Sequence, residues 1–354
     1  MAATDPALTL PYDWYSDEAV LRRERAAVFA RSWQYAGRAA DMAEPGSYLA
    51  VDAGGIPVLV VRDRAGTLRA FLNVCRHRGA VLTDGCGRRE TIQCRYHAWT
   101  YGLDGTLRTV PRADREESFD PAEWSLLPAS AGIWGPFLFV NPDPDAEPLE
   151  EWLGELPGVL AQDLDVDGLV FHSRVEFGSN ANWKVVAENF LECYHCPTAH
   201  PGFSAAVDVH PDRYVLEPHA TFSSQHCESR TGGEHGQFHL LYPNTGINVF
   251  PGPANLSIGP IVPAGPGRTE RYLDYFFAPD ADEQWIADFF AFDDQVGRED
   301  TALVESVQRG MTAGLLQEGR LLLDAEALIA AFQSWVADQV TGYHAEHPPA
   351  SENA

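Results

Sequence analysis

Lysine is almost absent from this chain: Lys184 is the only one. The other basic side chains are arginines, an imbalance that reads as codon composition rather than chemistry. Positive charge is scarce altogether, with 25 Lys plus Arg against 51 Asp plus Glu and a formal net charge of −26. A surface this acidic repels polyanions, which excludes nucleic acid and anionic lipid as partners. The acid excess reads as solubility or adaptation to salt, with attraction of a cationic substrate as the alternative. No run of about 18 apolar residues occurs, so no membrane-spanning helix is expected. Met1 to Pro11 lacks a basic stretch followed by an apolar one. No secretion signal is expected, therefore, and the expected location is cytoplasmic. Dinucleotide fingerprints of the G-x-G-x-x-G type are missing too, so electrons for any redox chemistry must come from another protein.

Otherwise the composition is that of a packed globular chain. The 354 residues suffice for two domains, and 45% are hydrophobic. With six cysteines and no export signal, metal ligation or free thiols are expected rather than disulfides.

Tyr15–Tyr35 reads as an amphipathic helix, capped by Ser16, with Val20, Leu21, Val28 and Phe29 at helical spacing. From Gly46 to Val140 the pattern changes to short strands. Ile56–Val61 and Thr67–Val74 flank a turn at Asp63–Gly66, and Trp99–Leu103 and Thr106–Val110 flank another at Asp104–Gly105. Phe137–Val140 is the last strand before the Pro-rich stretch Asn141–Pro148, the expected boundary. Beyond it, Trp183–Tyr194 reads as a helix and Ile247–Phe250, Asn255–Ile261 and Tyr272–Phe277 as strands. Glu283–Phe292, Glu299–Gly310 and Asp324–Val340 read as helices, and the polar tail His344–Ala354 as frayed.

Two constellations carry chemistry. Cys75-Arg76-His77-Arg78-Gly79 recurs in altered form as Cys94-Arg95-Tyr96-His97. Each segment follows a strand and supplies one thiolate and one imidazole. Two such loops face to face can hold two irons, one through both cysteines and one through both histidines, with sulfide bridges between. Replacing two thiolates by neutral imidazoles raises the cluster potential, into roughly the −150 to +300 mV range. Gly79 would let the backbone turn closely beneath the cluster. A Cys₂His₂ zinc site uses the same ligand types, but zinc fingers group like ligands together, whereas each loop here mixes them. Cys86, between the loops, reads as a free thiol.

The second constellation spans Asn182 to Pro201. Glu188, Glu192 and His195, at i, i+4 and i+7, are expected on one helix face, a costly polar stripe to bury without purpose. His195 and His200 would point about 140° apart on a continuous helix, and Pro197 is expected to break it so that His200 turns back toward the same metal. Two histidines and one carboxylate make a facial triad that leaves positions on Fe(II) for O₂. Asp300, at the start of its expected helix, is taken as the carboxylate, with Asp293 and Asp294 as alternatives. A zinc site and a surface helix with incidental histidines remain as other readings. Cys193-x-x-Cys196 is read as packing thiols in preference to a redox pair.

Cys75-x-His77 and Cys94-x-x-His97, with Trp99 following, resemble the Rieske motif of ring-hydroxylating and related oxygenases; Ala98 stands where many members have Gly. The second segment resembles the mononuclear-iron motif of Rieske oxygenase α subunits. Glu192, where most members have Asp, and the run Glu-Cys-Tyr-His-Cys are similar to the carnitine and choline monooxygenase and betaine demethylase group. The resemblance runs from the N-terminal helix through Gln308-Arg309-Gly310. It implies an α+β architecture: an all-β Rieske [2Fe–2S] domain, 38–148, and a catalytic domain, 149–354, with an antiparallel sheet flanked by helices in helix-grip fashion. Residues 1–37 would pack on the latter.

By the same resemblance Cys75, His77, Cys94 and His97 bind the [2Fe–2S] cluster, and His195, His200 and Asp300 bind Fe(II). Glu192 would bridge to a cluster histidine, His97, of the neighbouring subunit in a homotrimer; it and Asn189 are taken as the residues serving catalysis. Electrons would come from NAD(P)H through a partner reductase of flavin and iron–sulfur type. Arg76, Arg78, Arg88, Arg89 and Arg95 crowd the cluster loops and suit either reductase docking or subunit packing. Tyr194, Phe203, Tyr242 and Phe250 are the substrate-facing candidates, since aromatic faces attract quaternary ammonium groups. The expected reaction is oxidation of a C–H beside a cationic nitrogen. Hydroxylation of an aromatic ring is the alternative, and a non-enzymatic Rieske electron carrier is the alternative of another class.

Overall fold

The computed structural model describes residues 5–346, so most of the tail expected to fray lies outside the described residues. The chain forms two compact units, one of residues 29–152 and one of residues 1–28 with 153–354.

The 29–152 unit is a β structure. Its larger sheet runs Gln34–Arg38, Phe137–Asn141, Pro128–Trp134, Leu68–Leu72, Pro57–Arg62, Ser47–Asp52 and Cys86–Arg88 in spatial order; Thr91–Gln93, Thr100–Gly102 and Leu107–Thr109 form a second, smaller sheet. Both expected hairpins form. Asp63 Oδ1 accepts the backbone N–H of Ala65 at 2.9 Å and of Thr67 at 2.8 Å, closing the first turn. Gly105 closes the second at φ +83°, where a Cβ would strike the Phe71 ring at 2.4 Å. One core gathers Leu59, Val61, Phe71, Leu82, Ile92 and Tyr101 around Cys75 and Cys94.

The expected N-terminal helix is much shorter than its hydrophobic spacing suggests. It spans Glu18–Ala27, capped by Asp17, which accepts from Ala19 N at 2.6 Å, rather than by Ser16. Gln34–Arg38 is a strand that pairs with Phe137–Asn141. A segment buried on nearly every residue suits a sheet position and not a one-faced helix. The division between units therefore falls after residue 28, and again after residue 152, beyond the Pro-rich stretch.

The other unit is built on an antiparallel sheet. Its order is Val170–Ser179, Arg268–Phe277, Asn255–Gly265, Thr245–Val249, His235–Leu241, Phe222–Glu228 and Val215–Pro218. The expected strands are all present, most of them longer than foreseen. Besides Glu18–Ala27, its longer helices are Trp183–Phe190, Glu283–Thr312 and Ala327–Glu346.

Two helix expectations are corrected. Glu283–Thr312 is a single helix, so Asp300 sits in its interior and not at a start. Side-chain bonds at i, i+4 between Arg298 and Asp294, and between Gln295 and Glu299, carry it through Gly297, whose cost is about 1 kcal/mol. The motif helix ends earlier, at Phe190. Glu192 turns its carboxylate back onto the N–H groups of Tyr194 and His195 and closes a tight turn there. Pro197 breaks nothing: it occupies the first turn of the short helix Cys196–Ala199, where a missing N–H is harmless.

Candidate functional site

The two Cys/His loops are structural twins. In the first, Cys75 N–H donates to Ala80 O at 2.8 Å and Gly79 N–H to Cys75 O at 3.0 Å. In the second, Cys94 N–H donates to Trp99 O at 2.8 Å and Ala98 N–H to Cys94 O at 3.0 Å. Both turns need a left-handed residue at the same place. Gly79 supplies it at φ +74°, and Ala98 must adopt φ +57°, which costs a residue with a Cβ about 1–2 kcal/mol. Asn73 braces the first loop through Thr83 O at 2.8 Å.

These loops bring together the donor set of a mixed Cys/His cluster. Cys75 and Cys94 are buried free thiols. The His77 and His97 rings lie 4.6 Å apart, and His77 stacks on Trp99. His97 Nδ1 is buried without a hydrogen-bond partner, as a nitrogen meant for a metal would be. Slight desolvation, and then the fields of His97 and Arg78, lower the pKa of the exposed His77 imidazole and favour its neutral form, the one that ligates. The Tyr101 hydroxyl accepts from Arg76 N–H at 3.1 Å and lies 3.5 Å from Cys75 Sγ. The donors present fit a [2Fe–2S] cluster.

His195, His200 and Asp300 converge in the other unit, with one ligand atom of each within 4.8 Å of the others. His195 Nε2 and His200 Nε2 are 3.1 Å apart, and Asp300 Oδ1 is 3.0 Å from His200 Nε2 and 3.5 Å from His195 Nε2. Each imidazole is held from behind. Glu192 Oε1 meets His195 Nδ1, and Glu299 Oε2 lies 2.7 Å from His200 Nδ1. Carboxylates at both Nδ1 atoms select the tautomer whose Nε2 lone pair faces the centre. Asn189 Nδ2 donates to Asp300 Oδ1 at 2.7 Å.

Burial pulls the pKa of His195 down, but hydrogen bonds to Asp300 and Glu192 outweigh it and lift it to about 9. Burial pushes Asp300 up, yet its bonds to His195, His200 and Asn189 hold it well below the usual carboxylate range. A carboxylate kept ionised between two proton-attracting imidazoles is a position that a cation can take over from the protons. Three such donors on one side of a point fit a non-haem iron with positions left open.

Glu188 does not share this site. Its Oε1 accepts from Tyr15 Oη at 2.7 Å and Gln333 Nε2 at 3.0 Å, and burial lifts its pKa to about 7. The three-residue polar stripe expected on one helix is thus divided by the turn at Glu192. Asp293 accepts from Tyr275 Oη at 2.6 Å and Asp294 pairs with Arg298, so neither alternative carboxylate joins the triad.

A cavity of about 560 Å³ opens onto the triad, walled by Phe190, Phe203, Phe238, Phe250, Tyr275 and Phe290 among others. Phe203 and Phe250 are where the sequence reading expects them. Tyr194 is 61% exposed and lies outside the wall. Tyr242 is buried elsewhere, its hydroxyl 2.6 Å from Ser223 Oγ and its ring against Phe332 and Trp335. Cys193 and Cys196, also in the wall, form a disulfide across a Cα–Cα distance of 5.0 Å, correcting the reading of packing thiols. Glu299 escaped the sequence reading, although the acid beside Asp300 and the need to fix His200 were both visible.

Residues 32–121 match the family model "Rieske [2Fe-2S] domain", and residues 166–342 match "Ring hydroxylating alpha subunit (catalytic domain)". The chain is 34% identical over 357 residues to the carnitine monooxygenase oxygenase subunit of Acinetobacter pittii, covering 95% of this chain and 96% of the relative. It is 32% identical over 348 residues to the choline monooxygenase of Spinacia oleracea, covering 94% and 78%. Among solved structures, a quaternary ammonium Rieske monooxygenase bound to γ-butyrobetaine superposes with a TM-score of 0.82 at 32% identity, covering 95% of this chain and 97% of the other. A second structure of such an enzyme, described for carnitine oxidation and inter-subunit electron transfer, gives 0.83 at 32% identity, covering 95% and 96%. The catalytic-domain match and the assembled triad leave no place for a bare Rieske electron carrier. The chain belongs to the Rieske ring-hydroxylating oxygenase α-subunit family: an oxidoreductase with a [2Fe–2S] cluster and a non-haem iron.

Proposed function

We propose that the chain is the oxygenase component of a monooxygenase that oxidises a C–H bond beside a quaternary or tertiary ammonium in a carnitine-, choline- or betaine-like substrate. One observation carries this: the cavity facing the triad is lined with aromatic faces. Phe238 lies 5.2 Å from Phe250 and 5.9 Å from Phe203, centroid to centroid. Such a cluster attracts a cation that cannot hydrogen-bond. The relatives named for carnitine and choline support the same substrate class.

In this reading Cys75, His77, Cys94 and His97 hold the cluster, and His195, His200 and Asp300 hold the iron. When bound, the two groups supply electrons and O₂ activation. The chain does the rest. Glu192 and Glu299 keep the Nδ1 protons of His195 and His200, and Asn189 fixes Asp300, so the three donors stay aimed at one point. The aromatic wall seats the substrate and excludes water from the reacting C–H.

His97, ligating through its buried Nδ1, would leave Nε2 outward. In a head-to-tail homotrimer, Glu192 would receive that N–H from His97 of the partner subunit, since a carboxylate has lone pairs beyond those given to His195. The inter-subunit electron transfer described for a solved relative supports this. NAD(P)H would supply the electrons through a flavin and iron–sulfur reductase. The cytoplasmic placement belongs to the proposal; no described helix is long and apolar enough to cross a membrane.

The test is O₂ uptake with a surrogate reductase, comparing carnitine, choline, betaines and aromatic acids while formaldehyde is measured. Uptake coupled to an ammonium compound is expected. Coupling to aromatic acids alone would sink the proposal and favour ring hydroxylation.

A further inference from the structure

The cavity wall contains a cation that the proposed chemistry leaves unused. Arg271 lies on strand Arg268–Phe277, where it, Leu273 and Tyr275 are alternate residues that line the cavity. Its guanidinium sits 4.9 Å from the centroid of Phe177, its cross-strand neighbour. No described residue accepts a hydrogen bond from that guanidinium or forms an ion pair with it, although the field of Asp300, Tyr275 and Asp293 reaches it.

The aspartates of the wall are otherwise engaged and Glu192 holds His195, while the fifth acid, Glu176, is exposed. Asp293 holds the Tyr275 hydroxyl, Asp294 holds Arg298, and Asp300 holds Asn189 and the histidines. A guanidinium carries five donors in a rigid fork, and those of half-buried Arg271 still reach the solvent of the cavity, where a ligand can take its place. The fork matches a carboxylate, which takes two parallel N–H bonds from it.

One cavity thus combines aromatic faces suited to a trimethylammonium group with an uncommitted fork suited to a carboxylate. We infer that Arg271 binds the carboxylate of a zwitterionic substrate, so that the preferred substrate is a betaine, with cation and anion at opposite ends, and not an amino alcohol. The inference rests on the quaternary-ammonium reading and narrows it. The Phe177 ring beneath it restrains the guanidinium before the ligand arrives, which lowers the ordering cost of binding.

The test uses the metal-loaded enzyme and three probes: γ-butyrobetaine, its methyl ester and choline. Anaerobic calorimetry gives Kd for each, and separate aerobic O₂-uptake assays with a surrogate reductase give KM and kcat. Wild-type enzyme should bind the acid at least about tenfold more tightly than the ester, which has the same cation and nearly the same shape. In Arg271→Gln that preference should collapse, through a weaker Kd and higher KM for the acid. Arg271→Lys should restore part of it. A residue that merely balanced the acids of the wall would act on the cationic ester, which should bind more tightly once the charge is removed, and would leave the Kd of the net-neutral acid near its wild-type value. Equal binding of acid and ester by wild type overturns the inference whatever the variants do, and leaves the quaternary-ammonium reading intact. Binding of none of the three overturns that reading and this inference with it.

Discussion

The only lysine of the chain is a structural cation with no exposure to solvent, and removing it should be among the most damaging single changes. Lys184 Nζ donates to Glu24 Oε1 at 2.7 Å, Trp14 O at 2.9 Å and Asn182 Oδ1 at 3.0 Å, which uses all three of its protons. Both members of the ion pair are 0% exposed. Lys184→Met fills similar volume but leaves Glu24 with a single donor, Trp183 Nε1 at 2.9 Å, in a site that water does not reach. Breaking one side of a buried pair costs about 3–5 kcal/mol. Against a total stability of about 5–15 kcal/mol, that is roughly a fifth or more.

The assay is urea unfolding followed by tryptophan fluorescence, for Lys184→Met, Glu24→Gln and the double variant. Removing both charges removes the cause of the damage, so the double variant should be more stable than the two single losses predict, by at least about 2 kcal/mol. A loss below about 1 kcal/mol in Lys184→Met, or strict additivity in the cycle, would refute the account.

Other consequences are equally direct. Ala98→Gly relieves the left-handed strain in the second cluster loop and should raise stability by about 0.5–1 kcal/mol, read as later bleaching of the cluster absorbance in urea. Glu299→Ala removes the support of His200 Nδ1, so iron affinity should fall about 10–100-fold while the cluster absorbance stays unchanged. An unchanged iron titration would count against that tautomer assignment. His239 is buried neutral: burial first, then the fields of His226 and His219, push its pKa down to about 3. Unfolding frees it to titrate near its ordinary value, so its contribution is complete above about pH 6.5. It is then lost as pH falls, by about 1.4 kcal/mol per unit, until the folded value is reached. The difference in urea stability between wild type and His239→Gln should shrink along that slope from pH 6.5 to pH 4.5.

The candidate ligand clusters, Asp300 apart, were legible because their spacing is local. A thiolate and an imidazole two or three residues apart must share a loop, and two histidines around a proline must lie within one turn or two. The hairpins were legible for the same reason, since Asp63 and Gly105 act on their own neighbours. Helix ends were less so. Glu192 ends the motif helix by folding its carboxylate onto the backbone, and nothing in the hydrophobic pattern announces that. Conversely, Asp293, Asp294 and Gly297 look like an interruption, yet side-chain pairs carry the long helix through them. Tyr194 and Tyr242 were chosen for residue type, but which way an aromatic faces depends on the layer packed against it.

By itself, the order of residues determined which side chains can bind metal and that the chain divides into a β-rich front and a mixed rear. These are matters of chemistry and short-range spacing. Only the tertiary structure decided that Asp300 meets His195 and His200 across about a hundred residues, that Glu299 and Glu192 hold the imidazoles, and that Arg271 faces the aromatic cavity without a hydrogen-bond partner among the described residues. Those outcomes depend on which strand and helix faces pack together, and that is set by the burial of the whole unit rather than by any local run.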